Sequence, residues 1–97
     1  MLKILIDLNN PSFQIELFSL EKTEQTAFLK TCKKLSQMDW LMIYQDQGLK
    51  WEEITSKRTS SERIYSIRIS KKFRATVLRN QNILVFLMLN PDHDSAY

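Results

Sequence analysis

The sequence predicts an α+β domain of two layers, an αα-hairpin packed on a twisted, mainly antiparallel sheet that starts with N-terminal strand or strands. Three patterns lead there. From Ile64 to Arg79 apolar and polar residues alternate in two runs, and a third, wholly apolar run follows at Ile83–Leu89, with short polar turns between them. Between Glu21 and Gln47 apolar residues recur at helical spacing in two stretches. Met1–Leu8 alternates again, with Leu2, Ile4, Ile6 and Leu8 on one side. Ninety-seven residues supply one core and not two, so residues 1–97 form a single domain.

Met1–Leu8 reads as a strand and Asn9–Asn10–Pro11–Ser12 as a turn. Phe13–Phe18 (FQIELF) is a second strand candidate, and whether the two pair as a hairpin is open. Ser19 is positioned as a helix N-cap, with Glu21 and Glu24 in the first turn, where carboxylates favour the positive end of a helix. The helix runs Glu21–Gln37, with Ala27, Phe28, Cys32 and Leu35 as its apolar stripe. Cys32 on that stripe is a small core residue, with no histidine nearby in sequence to make it a nucleophile. Asp39 caps a second helix, Trp40–Gln47, closed by Gly48. Its Trp40, Leu41, Ile43 and Tyr44 face back onto the first helix. GLKWEEI is extended, and Thr55–Glu62, polar throughout, is a surface loop.

Ile64–Ser70, Lys72–Arg79 and Ile83–Leu89 are the three main strands, turning at Ser70–Lys72 and Asn80–Asn82. Tyr65, Ile67, Ile69, Phe73, Ala75 and Val77 at odd positions are apolar, while Ser66, Arg68, Lys72, Arg74 and Thr76 are polar, so one face is core and the other is open. A turn about Lys71 sets Ile69 opposite Phe73, Ile67 opposite Ala75 and Arg68 opposite Arg74, because a slip by one would mix the faces. Two arginines opposed on a sheet repel, and the arrangement calls for an anion between them. Ile83–Leu89 is apolar on both faces, which places it inside the sheet.

No apolar run approaches the ~20 residues of a membrane span, so no membrane role is expected. The N-terminus lacks a small-residue cleavage site, so no signal peptide is expected either. One cysteine and one histidine, His93, exclude an internal disulfide and any metal site built on several such ligands; a reducing cytoplasm fits this usage. Net charge is only +3, yet Lys57–Arg79 holds eight basic residues against one acid, and the remaining residues hold six basic and ten acidic. A focused positive field on an acidic body points to a polyanionic partner. The alternative is a solvated face whose lysines guard a sheet edge.

GLKWEEI, YSIRISKKFRA and PDHDSAY, in that order after a helical hairpin, resemble the RelE/ParE superfamily of bacterial toxins, and within it the RelE-like translational repressors of toxin–antitoxin modules. The motifs cover Trp40–Tyr97; Ser19–Gln47 matches in pattern and Met1–Ser12 in nothing. The resemblance implies a RelE-like fold and a ribosome-dependent mRNA endonuclease that cuts in the A site without a metal or other cofactor. The ribose 2′-OH would attack the adjacent phosphorus, a reaction needing a base, cations on the phosphorane and an acid for the leaving oxygen.

Carried over residue by residue, Arg74 matches the arginine on the scissile phosphate and Arg68 a second basic strand residue. Glu52 falls at a proton-transfer position. His93 and Tyr97 match catalytic C-terminal positions, His93 as an acid and Tyr97 as a ring that stacks on a splayed base or shares in proton transfer, and the carboxylates of Asp92 and Asp94 favour protonated His93. Lys71, Lys72, Arg63, Lys57 and Arg58 would contact the RNA backbone. The partners implied are the ribosome with its A-site mRNA and a cognate acidic antitoxin, which joins the toxin in a hetero-oligomer. The chain departs from the pattern by stopping at Tyr97, where many relatives continue into a short helix. Two alternatives stand beside this: a ParE-like poison of DNA gyrase that acts by binding, and an inactive RNA-binding relative.

Overall fold

The computed structural model describes residues 3–55 and 63–91. Its elements run β1 (Leu5–Asp7), α1 (Pro11–Phe18), α2 (Lys22–Leu35), α3 (Trp40–Gln45), β2 (Glu52–Glu53), β3 (Ile64–Ser70), β4 (Phe73–Asn80) and β5 (Ile83–Asn90). The five strands form one sheet in the order β1-β5-β4-β3-β2, with β1 parallel to β5 and the other pairs antiparallel. Helices cover one face. This is the two-layer α+β arrangement that the periodicities predict.

β5 lies inside the sheet between β1 and β4, as its two-sided apolar pattern requires. In the first strand Ile4 is buried and Ile6 and Leu8 pack on the core. Phe13, Phe28 and Phe86, from α1, α2 and β5, meet with ring centroids 5.6, 5.5 and 5.1 Å apart and join the layers.

The expected strand over Phe13–Phe18 is instead helix α1, so there is no N-terminal hairpin. The Asn–Pro–Ser signal acts as a helix start. Asn10 is the N-cap, its Oδ1 accepting from the Ser12 amide at 2.9 Å, and Pro11 fills the first helical position, where its missing N–H costs nothing. Ser19 closes α1 and does not open α2. Glu21 caps α2, with the Glu24 carboxylate accepting its amide at 3.0 Å.

The second helix ends at Gln45, short of Gln47, and Gly48 does not close it in a left-handed conformation. Asp46 makes the exit: its Oδ1 accepts the Leu49 amide at 2.9 Å, and the positive φ of 48° falls on Lys50. Of the four residues expected to pack α3 on α2, Ile43 is fully buried, Leu41 is exposed, and Trp40 and Tyr44 turn instead toward Trp51.

Asp46 also meets Lys34 Nζ at 3.0 Å. Partial burial pushes its carboxyl up, but hydrogen bonds from Lys34 and from the Leu49 and Gly48 amides, with the Lys34 charge, outweigh that and hold it below its ordinary value. A depressed folded-state pKa gives stability that is complete above the unfolded-state value, near 4, and disappears as pH falls through the folded one. Asp46→Asn is therefore expected to lower Tm by a few degrees at pH 7, in line with a partly exposed pair worth about 1 kcal/mol or less. The difference from wild type should shrink toward zero in melts run progressively below pH 4.

Arg68 opposes Arg74 and Ile67 opposes Ala75 in the expected register. The expected Ile69–Phe73 pair is replaced by Ser70–Phe73, because a bulge intervenes after Arg68. The bulged Ile69 carbonyl is satisfied from the other layer by the buried Thr31 hydroxyl, 3.2 Å away. A contact across 38 positions thus ties the bulge to α2. No helix among the described residues is long and apolar enough to cross a membrane.

Candidate functional site

β3 and β4 position the arginine pair. As direct Cα partners, Arg68 and Arg74 project from the same face, opposite the buried Ile67 and Ala75. Arg68 is fixed by its Nε, which donates to the Lys71 carbonyl at 2.7 Å, and by its amide, which donates to the Leu49 carbonyl at 2.7 Å. Arg74 Nη1 lies 3.6 Å from Glu52 Oε1, close enough for an ion pair and too far for a hydrogen bond.

Glu52 reaches this position because β2 runs along the outer side of β3, with Glu52 opposite Ser66. Its side chain is 65% exposed and that of Arg74 38%. Such a pair is weak in water, and a phosphate can displace the carboxylate at little cost. On the other flank Asn90 sits opposite Arg74 and donates to Thr76 Oγ1 at 3.4 Å. Glu52, Ser66, Arg68, Arg74 and Asn90 lie together on this face of the sheet around the buried Thr76, with two cations near the centre.

Lys71 and Lys72 stand exposed at the turn beside this patch. Lys71 has φ 31°, a left-handed backbone that glycine or asparagine would tolerate better. Arg63 is not gathered in: it precedes β3 and lies five residues, about 17 Å, along the strand from Arg68. Lys57, Arg58, His93 and Tyr97 lie outside the described residues. The described chain reaches Pro91, one residue beyond the Asn90 that faces Arg74.

Burial pushes the Cys32 thiol up to about 12, so it is protonated and unreactive at neutral pH, as a core residue should be. Among the described residues no three His, Cys, Asp or Glu side chains converge to hold a metal ion. Two surface cavities, of ≈ 280 and ≈ 390 Å³, are lined by neither Arg68 nor Arg74.

Sequence reasoning missed two features. Glu16 Oε1 accepts the Leu89 amide at 2.7 Å, tying α1 to β5. Trp40, Tyr44, Trp51 and Tyr65 form a run of rings capped by Arg79. Both join residues far apart in the chain, and local periodicity carries no signal for them.

No protein-family model matches the chain, and no curated protein does. Solved structures do. The chain is similar to the archaeal RelE–RelB complex from Pyrococcus horikoshii OT3, with a TM-score of 0.67 at 16% identity over 93% of this chain and 96% of that one. It is also similar to a copper-bound mutant toxin from Helicobacter pylori, with a TM-score of 0.51 at 15% identity over 97% and 99% of the two chains. The fold is RelE-like.

Proposed function

We propose that this chain is the toxin of a type II toxin–antitoxin module, a ribosome-dependent and metal-independent mRNA endonuclease of the cytoplasm. The observation that carries the proposal is the opposed Arg68–Arg74 pair on the open face, with the Glu52 carboxylate 3.6 Å from Arg74. Like charges held in register cost energy that a bound anion recovers, and a phosphodiester fits between them. Lys71 supports the reading, since its left-handed backbone keeps a lysine where an uncharged turn residue would be less strained.

In the proposed step the ribose 2′ oxygen attacks the adjacent phosphorus, and Glu52 takes its proton. Arg74 and Arg68 hold the charge that builds on the equatorial oxygens. The bond from phosphorus to the 5′ oxygen breaks, and His93 donates the proton that this oxygen needs. The products are a 2′,3′-cyclic phosphate and a 5′-OH, with atoms and charge balanced by one proton taken and one given. Tyr97 would stack on a splayed base. Lys71 and Lys72 would hold the backbone beside the site; Lys57, Arg58 and Arg63 would extend that contact.

The Pyrococcus relative was solved with RelB, and an acidic antitoxin covering the basic face of this chain is the corresponding partner, in a toxin–antitoxin hetero-oligomer. Inducible expression followed by mapping of message 5′ ends tests the proposal. Cuts at fixed positions within codons of translated messages are expected. Double-strand DNA breaks without message cuts would overturn it in favour of a gyrase poison.

A further inference from the structure

On the helix side of the sheet, the turn between β4 and β5 is gripped by a second set of side chains. Trp51 stacks on Tyr65 with centroids 4.4 Å apart and planes 25° from parallel. Trp40 and Tyr44 lie 5.8 and 5.4 Å from Trp51, which makes the four rings continuous. Arg79 lays its guanidinium over Trp40 at 4.5 Å and over Tyr44 at 5.8 Å, and donates to the Tyr44 hydroxyl. Its Nε and the Trp40 indole N–H both donate to the Gln81 carbonyl, at 3.2 and 2.7 Å.

This cluster is open to solvent. Tyr44 is 42% exposed, Arg79 is exposed, and Trp40, Trp51 and Tyr65 are half-buried. Among the described residues Arg79 meets rings, a hydroxyl and a carbonyl, none of which carries a negative charge. Arg63, also exposed, precedes Ile64, whose partner is Leu78, so it comes alongside Arg79 at this end of the hairpin. Two cations beside flat, partly exposed rings combine what single-stranded nucleic acid needs, a face for bases and charge for the backbone.

We infer that Trp40, Tyr44 and Arg79 form a second site, which stacks an unpaired base of single-stranded RNA away from the Arg68–Arg74 pair. β2 links the two sites. It lies at the edge of the sheet, with Glu52 turned to the open face and its neighbour Trp51 among the rings on the helix side. A strand of RNA crossing that short edge engages both. The inference takes from the proposed function only that the ligand is RNA.

The chain contains two tryptophans, Trp40 and Trp51, and both lie in this cluster, so their emission reports on it. The probe is a short oligoadenylate with 2′-O-methyl riboses, which has no attacking hydroxyl. It is expected to quench the emission saturably. Tyr44→Ala and Arg79→Gln should each weaken binding by about tenfold, the loss of roughly one base stack, while Tyr44→Phe stays within about twofold. Circular dichroism of each variant confirms folding; Tyr44 is exposed, so Tyr44→Ala decides the matter should Arg79→Gln unfold. Absence of quenching, equal affinity in Tyr44→Ala, or preferential quenching by an acidic peptide would overturn the inference. Saturable quenching alongside intact messages in the expression assay would sink the nuclease reading and leave this site standing.

Discussion

Arg74→Ala is expected to abolish cleavage of ribosome-bound message, lowering the single-turnover rate by about 10²–10³-fold, while the protein melts within a few degrees of wild type. The first expectation follows from position. Arg74 Nη1 lies 3.6 Å from Glu52 Oε1, and removing one preorganised charge from a developing oxyanion typically has that effect. The second follows from exposure. The Arg74–Glu52 pair is solvated on both sides, and losing such a pair changes stability by about 1 kcal/mol or less. Arg68→Ala should cut activity less cleanly, because its Nε also holds the Lys71 carbonyl at the turn. Cutting retained at wild-type rate in Arg74→Ala would remove this residue from the mechanism.

The largest expected loss of stability comes from the opposite face. Phe86→Ala removes one ring from the Phe13–Phe28–Phe86 triad, where all three rings are wholly buried. Large-to-small changes at such positions cost about 3–5 kcal/mol, against a total of roughly 5–15 kcal/mol for a small domain. Tm should fall by roughly 15–30 °C. Phe18→Ala is the matched control, since Phe18 is 74% exposed and its loss should move Tm by little. Comparable melting of the two variants would show that the triad is not the keystone of the core.

β3, β4 and the arginine pair were legible because period-two alternation is a strong local signal and both arginines fall on its polar phase, and β5 because a short apolar run follows a turn signal. α1 was not. Phe13, Ile15 and Leu17 alternate like a strand, and Asn–Pro–Ser serves equally as a turn or a helix start; only the bonds that Asn10 makes decide between them. The bulge after Arg68 depends on a hydroxyl from α2, and the Glu52–Arg74 approach depends on where β2 sits in the sheet. Neither is a property of a short window. The same holds for Arg79 and Trp40, which only the β4–β5 turn brings together. His93 and Tyr97 have their assignment from the PDHDSAY motif alone.

The parallel pairing of β1 with β5 also governs how the protein comes into being. Residues 5–7 form their ladder with 83–85, so the first strand made must wait for the last. Such long sequence separation slows folding, because chain entropy is lost before the distant contact forms. Without β5 the chain has neither this ladder nor Phe86 in its interior, so the core closes only when both ends of the described fold are in place.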